Sequence, residues 1–338
     1  MSNQLEQLDA IVAQASLSAE MPKPTSFIRV EPFGNFVKVG LMMEEPKELI
    51  PHVVVEHETT ILFGDTGLGK STFSMQMAIE MAAAGKKVLY VNFELSQQQF
   101  SKKYPEKAIP ETLYIANIDY TLMHDVTDQS SILAEIEKLA LEYETSVIII
   151  DNFTNLCINA KEGSEAGQVM LSLISLRMTH DWTMLILAHV PKRKAGDPLS
   201  LNDLAGSKIL SNLADNVVGL NKSKQGKDKR YLIQLKYRSM PIELDYKNVQ
   251  ELTLMMSEGY LHFEYGGYDE ERAHLPRSRD EKAELEADIV KELKQLNGLS
   301  YRDIADKLGT SLGTVQRVAK GHGLSRGGDK NKGSKDTK

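Results

Sequence analysis

One segment, LFGDTGLGKST at residues 62–72, constrains the fold of this chain more than any other feature. Two glycines, Gly64 and Gly69, frame four residues, and Lys70 and Ser71 follow at once, which is the spacing G-x-x-x-x-G-K-[ST]. An apolar stretch that predicts a strand precedes the loop, and a stretch that predicts a helix follows it. In such a loop the backbone N–H groups surround phosphate oxygens, and the positive N-terminal end of the next helix attracts them. The sequence therefore predicts a strand, a phosphate-binding loop and a helix in succession.

The phosphate loop also predicts a nucleotide and its metal ion. Lys70 is expected to reach the outer phosphates, and the Ser71 hydroxyl is expected to coordinate Mg²⁺. ATP and Mg²⁺ are therefore the predicted cofactors. The predicted nucleotide-binding residues are Gly64, Asp65, Thr66, Gly67, Leu68, Gly69, Lys70, Ser71 and Thr72. The alternative is a glycine loop that has this spacing by chance.

Continuous apolar segments alternate with helical ones between about residues 33 and 268. The predicted strands include KVLYVNFE, SVIIID and TMLILAH, whereas SILAEIEKLALEY repeats its apolar residues at three- and four-residue steps and predicts a helix. Strands that are apolar throughout are typical of sheets that are buried on both faces. The pattern predicts an α/β fold with a mainly parallel sheet between layers of helices. Later segments such as RYLIQLKYRS and YLHFEY indicate a more antiparallel extension.

Two acidic residues stand at the ends of predicted strands. Asp151 closes VIIID, where a carboxylate beside a phosphate loop suits a ligand that supports Mg²⁺. Glu94 ends VLYVNFE, the first strand after the loop helix, where it can orient or deprotonate a water molecule opposite the γ-phosphate. The alternatives are a turn residue at the end of a strand for Asp151 and a surface carboxylate for Glu94.

Five ordered segments between about residues 35 and 265 resemble RecA-like ring ATPases, the group that holds the DnaB-type and plasmid RepA-type helicases. They are the phosphate loop, VLYVNFELSQQQF, LILAHVPK, DLAGSKILSNLADNVVGL and LKYRSMP. The resemblance implies a RecA-like core that hydrolyses ATP as a homo-oligomer, a hexameric ring. Glu94 is then the catalytic base, and His189 senses the γ-phosphate. Lys236 and Arg238 are implied to reach into the nucleotide site of the next subunit.

Simpler interpretations of His189, Lys236 and Arg238 stay open. Lys236 and Arg238 share one face of YLIQLKYRS, and they could be the solvated side of a half-buried strand. His189 could be a core histidine. Ser239 and Met240 stand where a glycine usually follows the arginine in the helicase group.

In the group that the chain resembles, loops near this part of the sequence line a central pore that grips single-stranded DNA, and two lysine-rich segments suit such a channel. They are PKRKAGDP at 191–198 and NKSKQGKDKR at 221–230. Cations in such a channel neutralise phosphates and supply affinity that does not depend on base sequence. Ordinary solvated loops have the same composition, so that alternative stays open.

The segment LSYRDIADKLGTSLGTVQRVAKGHG, residues 299–323, has the spacing of a helix-turn-helix. Ser300 and Asp303 predict a capping box at the start of the first helix. Gly309 is expected to make the turn, and Ser311 is expected to cap the second helix. The residues expected to contact DNA from the second helix are Thr314, Gln316, Arg317 and Lys320. The segment looks like the helix-turn-helix of resolvases and many regulators, and a helical hairpin that binds no DNA is the alternative.

The charge distribution places the expected DNA contact at the C-terminus. The 338-residue chain has a net charge of −7, which does not indicate a nucleic-acid binder. Residues 317–338, in contrast, carry seven Lys or Arg residues and only two Asp residues. A basic tail beside a recognition helix favours DNA as the partner.

The predicted domains are an N-terminal arm at 1–32, a RecA-like ATPase domain at 33–268, a linker at 269–281, a helix-turn-helix domain at 282–324 and a disordered basic tail at 325–338. The single cysteine, Cys157, cannot form an internal disulfide or a zinc site, which favours a reduced cytoplasm. No apolar run approaches the roughly 20 residues that span a bilayer, so no membrane partner is expected.

The function predicted from these features is Mg²⁺-dependent ATP hydrolysis coupled to DNA unwinding or remodelling, in the replication of a plasmid, a phage or another mobile element. The last step depends on the family resemblance. Two alternatives are an ATP-switched regulator that binds one duplex sequence without translocating, and a recombination mediator that assembles filaments.

Overall fold

The structure is a computed structural model that describes residues 28, 30–104, 109–119, 129–157, 163–190, 197–204, 208–257, 259–295 and 299–324. The chain divides into two compact units, residues 1–45 and 46–338. Most of the N-terminal arm predicted at 1–32, namely residues 1–27 and 29, and the whole basic tail predicted at 325–338 lie outside the described residues.

The first unit contains one described helix, α1, at Phe33–Met42. Its large apolar side chains, among them Phe33, Phe36 and Leu41, are exposed. This helix falls in the first unit, although the predicted ATPase domain begins at residue 33. The bounds of the five predicted domains therefore stay predictions.

The second unit is built on one large sheet. Its strands are β1 (Glu48–Ile50), β2 (Val54–Val55), β3 (Thr59–Gly64), β4 (Val88–Asn92), β5 (Leu113–Asn117), β6 (Val147–Asp151), β7 (Thr183–His189), β8 (Asn216–Lys222), β9 (Lys229–Lys236), β10 (Val249–Ser257) and β11 (Tyr260–Asp269). Strands β1 and β2 form a separate antiparallel pair, and the other nine follow the order β11-β10-β9-β8-β3-β7-β6-β4-β5. Six neighbouring strands, β8, β3, β7, β6, β4 and β5, run parallel to one another. Strands β9, β10 and β11 pair in antiparallel fashion. The predicted α/β fold, with a mainly parallel sheet and an antiparallel extension, is confirmed.

Helices cover both faces of the parallel part. Those of the second unit are α2 (Lys70–Ala83), α3 (Gln97–Lys103), α4 (Gln129–Glu142), α5 (Phe153–Leu156), α6 (Gly163–His180), α7 (Lys208–Leu213), α8 (Glu271–His274), α9 (Arg279–Lys294), α10 (Tyr301–Lys307) and α11 (Leu312–Gly321), with a 3₁₀ turn at Leu201–Asp203. Successive residues of a strand point to opposite faces, so Ile148 and Ile150 pack with α4 and α6, whereas Ile149 packs with α2. This two-sided burial is the physical reason for the continuous apolar runs in the sequence.

The parallel order brings four strand ends to one edge of the sheet. Strands β3, β7, β6 and β4 are consecutive neighbours that run in the same direction. Their C-terminal residues are Gly64, His189, Asp151 and Asn92. Side chains that follow these strands are therefore expected to meet at this edge.

Helices α9, α10 and α11 form a separate small core. Ser300 and Asp303 make the predicted capping box, Gly309 adopts a φ of 55°, and the Ser311 hydroxyl caps α11. The guanidinium of Arg277 donates to the Gly309 carbonyl at 2.7 Å, which joins the start of this region to its turn. Among the described residues, no helix is long and apolar enough to cross a bilayer.

Candidate nucleotide site

The phosphate loop joins β3 to α2, and glycine is required at three of its positions. Gly67 and Gly69 have φ angles of 79° and 97°, in the left-handed region that other residues adopt only with strain. At Gly64 an added Cβ would lie 2.2 Å from the Leu220 carbonyl oxygen of the neighbouring strand β8. The backbone itself therefore explains why glycine stands at the two motif positions and at Gly67.

The antiparallel extension of the sheet supports the loop from beside it. The buried Arg230 guanidinium donates to the Leu68 carbonyl at 3.1 Å. The Phe263 ring lies so close to Gly69 that an added Cβ would be 2.9 Å from it. Gln76 of α2 hydrogen-bonds both the N–H and the carbonyl of Phe263. Arg230 belongs to the lysine-rich segment at 221–230, but its burial withdraws it from any exposed cationic surface.

Lys70 lies inside the loop and is almost fully buried, with 5% of the residue exposed. Its ammonium donates to the carbonyl oxygens of Gly64 at 2.8 Å and Asp65 at 3.0 Å. Burial lowers the pKa of Lys70, and the nearby carboxylates of Asp151 and Glu94 oppose this shift. The lysine charge thus lies between the phosphate loop and the two acidic residues that the sequence singled out.

Asp151 is buried at the end of β6, next to the start of α2. Burial raises the pKa of this carboxyl, whereas hydrogen bonds from Ser71 and Tyr90 lower it in part. The Tyr90 hydroxyl donates to Asp151 Oδ2 at 2.8 Å, and Ser74 lies 2.8 Å from the same hydroxyl. The peptide bond between Asp151 and Asn152 is cis. The hydrogen bonds from Tyr90 and Ser71 hold the carboxylate in a fixed orientation beside the Ser71 hydroxyl.

The pair of Ser71 and Asp151 fits a Mg²⁺ ion beside the phosphates. Both side chains offer oxygen, the ligand atom that Mg²⁺ prefers. The desolvated Asp151 carboxyl is also the kind of group whose charged form a divalent cation favours. The residues that would hold the ion are thus the two that the sequence predicted.

Glu94, Asn152 and His189 meet beyond the ends of three neighbouring strands. The Asn152 amide donates to Glu94 Oε1 and lies 2.9 Å from His189 Nε2. Glu94 Oε1 and His189 Nε2 are 3.3 Å apart. Because the amide group has two hydrogens, Asn152 can hold both acceptors at once. The predicted base and the predicted sensor therefore share one hydrogen-bonded cluster.

Sequence reasoning missed the residues that orient this cluster. Asn152 follows Asp151 directly in IIIDN, and its polarity after an apolar strand was the available signal. Asn92 accepts the Leu95 N–H at 2.9 Å and donates to the Leu95 carbonyl at 2.6 Å, so it shapes the turn that carries Glu94. Tyr90, which orients the nearby Asp151, is the one hydroxyl-bearing residue in the otherwise aliphatic run VLYV. That position in a buried strand was the available signal that its hydroxyl has a polar partner.

Lys236 and Arg238 do not join the nucleotide site of their own chain. The Lys236 ammonium donates to the carbonyls of Ser211, Asn212 and Ala214 at the end of α7. Arg238 pairs with Asp215 at 2.9 Å while about half of its side chain stays exposed. Asp215 in turn accepts the Thr59 N–H at the opposite end of β3 from Gly64, which is roughly 16 Å along a strand of this length. A role for either cation in a neighbouring subunit stays a prediction.

Comparison with known proteins adds a family likeness to this geometry. Residues 38–195, which hold the phosphate loop, Glu94, Asp151 and His189, match the family described as AAA domain. The DNA repair protein RadA of Streptococcus pneumoniae is 28% identical over 211 residues, which cover 61% of this chain and 45% of that protein. The RadA protein of Chlamydia pneumoniae is 30% identical over 170 residues, covering 49% of this chain and 33% of that protein.

The part of the chain that holds the candidate nucleotide site is thus similar to the family described as AAA domain. The matched residues span less than half the length of the two RadA relatives. A solved KaiC-like protein from Pyrococcus horikoshii is 17% identical and aligns with a TM-score of 0.48 over 65% of this chain and 99% of its own.

The structure places the predicted DNA-contacting residues on α11. Gln316, Arg317 and Lys320 are exposed. Thr314 is half-buried, and its hydroxyl lies 2.9 Å from that of Ser311, so it takes part in the helix cap. Within the lysine-rich segments, residues 191–196 lie outside the described residues, whereas 221–230 comprises the end of β8, the turn at 223–228 and the start of β9.

Proposed function

We propose that this chain is a Mg²⁺-dependent ATPase that works as a homo-oligomeric, hexameric ring and couples ATP hydrolysis to DNA unwinding or remodelling. The observation that carries the proposal is the cluster of Glu94, Asn152 and His189 beside Lys70. Those residues place a carboxylate and its orienting partners at the sheet edge where the phosphate loop opens. Replication of a plasmid, a phage or another mobile element is the proposed setting, and it depends on family resemblance.

In the proposed reaction Glu94 accepts a proton from the water molecule that attacks the γ-phosphate. Asn152 fixes the direction of the Glu94 carboxylate, and His189 lies within reach of the same oxygen. Lys70 exchanges its two loop carbonyls for phosphate oxygens and stabilises the charge that develops on them. Mg²⁺, held by Ser71 with support from Asp151, supplies charge neutralisation when bound.

DNA as the partner is supported by three features of different kinds. The exposed Gln316, Arg317 and Lys320 on α11 can hydrogen-bond base edges and phosphates. Three lysines at the end of β8 and in the turn that follows it, Lys222, Lys224 and Lys227, are exposed as well. The relatives described as DNA repair protein RadA point to the same kind of partner.

The deciding experiment measures steady-state ATP hydrolysis with oligo-dT, with a mixed-sequence single strand and with duplex DNA. We expect a severalfold increase with either single strand, because a motor grips the phosphate backbone and not the bases. The matched variant Arg317→Ala should keep this increase, since Arg317 lies on α11 and outside the ATPase domain.

A sequence-specific regulator is the second candidate, favoured by the exposed polar residues of α11. Such a protein would bind one duplex sequence tightly, would lose that binding in Arg317→Ala and would show no stimulation by single strands. That set of results would replace the motor proposal.

The proposed role of Arg238 can be tested by mixing subunits. We expect Arg238→Ala to assemble normally and to hydrolyse ATP slowly, because a guanidinium at the γ-phosphate can contribute orders of magnitude in rate. Mixing it with Glu94→Gln should restore turnover at roughly a quarter of the interfaces, those that join an intact Glu94 to an intact Arg238 of a neighbour.

The pairing of Arg238 with Asp215 calls for a stability control. Equal melting temperatures of Arg238→Ala and the wild type would show that Asp215 keeps sufficient partners in Arg177 and Thr59. Full activity in Arg238→Ala, or no recovery on mixing two folded variants, would leave Arg238 as a surface residue.

A further inference from the structure

A second cluster of titratable side chains lies where β10, β11 and α8 meet. Glu251 stands near the start of β10, Asp269 ends β11 and His274 ends α8. The antiparallel register, which pairs Val249 with Asp269, brings the two carboxylates to the same end of the β10–β11 hairpin. One ligand atom from each of the three side chains lies within 4.8 Å of the others. None of the three residues belongs to the nucleotide site.

His274 is the unusual member of this cluster. It is fully buried, and its Nε2 has no hydrogen-bond partner among the residues that the structure describes. Its other ring nitrogen, Nδ1, lies 2.9 Å from the Ser223 hydroxyl. Nε2 is 3.8 Å from Glu251 Oε1, which is too far for a hydrogen bond. A buried polar atom in this state costs folding free energy unless something binds to it.

The contact of Nδ1 with Ser223 leaves the other ring nitrogen, Nε2, available to bind a metal ion. When Nδ1–H donates to Ser223, the lone pair of Nε2 is left free and points toward the carboxylates. Metal-binding histidines commonly use their second nitrogen in this way to fix the ring.

Both carboxylates have lone pairs left with which to bind a metal ion. The Lys229 ammonium lies 3.6 Å from Glu251 Oε2. The other carboxylate oxygen, Oε1, lies 3.8 Å from His274 Nε2. Asp269 accepts the Glu270 N–H through Oδ1 at 2.8 Å and the Gln225 amide through Oδ2 at 3.3 Å. Each carboxylate oxygen has more than one lone pair, so neither set of contacts excludes a metal ion.

We propose that His274, Glu251 and Asp269 bind one divalent transition-metal ion of the Zn²⁺ class, with water in the remaining positions. Ligands that make bonds of about 2.1 Å in tetrahedral geometry lie about 3.4 Å apart, so the His274–Glu251 separation needs a shift of only about 0.4 Å. The imidazole nitrogen selects against Mg²⁺ and Ca²⁺, which prefer oxygen ligands alone.

The site would fix the chain that leads from the sheet into the C-terminal helices. His274 immediately precedes the segment of Leu275 to Ser278 that enters α9, and its carbonyl accepts the Lys224 N–H at 2.8 Å. A metal ion at this point joins β10, β11 and α8. A metal ion that binds the folded protein and not the unfolded chain raises the free energy of unfolding by mass action.

The test uses the full-length, tag-free protein, stripped of metal and kept free of nucleotide. Zn²⁺ is added in competition with a chromogenic chelator, and the melting temperature is measured in parallel. We expect one equivalent to bind and the melting temperature to rise, and we expect a hundredfold excess of Mg²⁺ to leave both results unchanged. Co²⁺ should bind at the same site and give visible absorption bands.

Variants that keep side-chain shape separate this site from others. Glu251→Gln and Asp269→Asn should each weaken Zn²⁺ binding more than tenfold, and Ser223→Ala should weaken it about 10- to 100-fold by freeing the ring. Asp151→Asn, at the nucleotide site, and His262→Gln, on the same strand as Asp269, should bind Zn²⁺ as the wild type does.

Three results would overturn the proposal. One is the absence of stoichiometric Zn²⁺ binding to the folded wild type. Another is unchanged binding in Glu251→Gln and Asp269→Asn when circular dichroism shows both to be folded. The third is loss of binding in Asp151→Asn, which would assign the ion to the nucleotide site.

Discussion

Lys70→Ala is expected to hydrolyse ATP at less than about one per cent of the wild-type rate. In the folded chain the Lys70 ammonium contacts the carbonyls of Gly64 and Asp65 and faces the carboxylates of Asp151 and Glu94. ATP brings phosphate oxygens to this position, and alanine leaves their negative charge without its cation. Phosphate release at saturating ATP and Mg²⁺ measures the effect directly.

Two further variants separate loss of charge from loss of packing. Lys70 is 5% exposed, so alanine also removes a buried stem. Lys70→Met keeps most of that stem and removes only the charge, and it should be as inactive as Lys70→Ala. Lys138→Ala, which removes an exposed lysine paired with Glu135, should retain the wild-type rate. Turnover at the wild-type level in a folded Lys70→Met variant would remove the assignment of the phosphate loop.

The fold could be predicted from sequence because its determinants are local. The runs through Ile148, Ile149 and Ile150 are apolar throughout, which is the pattern of a strand covered on both faces. Gly69 needs a left-handed backbone, and Gly64 needs close approach to the next strand, so the loop motif reports its own geometry. Ser300 and Ser311 likewise cap the helices that they precede.

The contacts between side chains could not be predicted in the same way, because they join residues far apart in the chain. Asn152 gains its importance only when parallel pairing brings Glu94 and His189 to the same sheet edge. Arg230 looks like a solvated cation in the sequence, yet the register of β9 places it against the phosphate loop. The helix-capping contact of Thr314 was also hidden, since composition alone made this residue look available to DNA.

Glu94→Gln is expected to lower the rate of ATP hydrolysis about 10²- to 10⁴-fold and to leave ATP binding nearly unchanged. Glutamine has the shape of glutamate and can still accept the hydrogen bond from Asn152 through its carbonyl oxygen. It cannot accept a proton from the attacking water. Single-turnover hydrolysis and the equilibrium binding of a fluorescent ATP analogue measure the two effects separately. Glu135→Gln, which removes an exposed carboxylate, is the matched control.

Asn152 supplies the sharper test of how Glu94 works. If Asn152 acts by positioning the Glu94 carboxylate, Asn152→Ala slows hydrolysis in the wild-type background but has no further effect in Glu94→Gln. A purely structural role, such as the cap that Asn152 provides to the Asn155 N–H, would lower the rate in both backgrounds. Equal losses in the two backgrounds would therefore separate Asn152 from the chemistry. Wild-type hydrolysis in Glu94→Gln would remove the proposed base itself, because no change at Asn152 could then act through it.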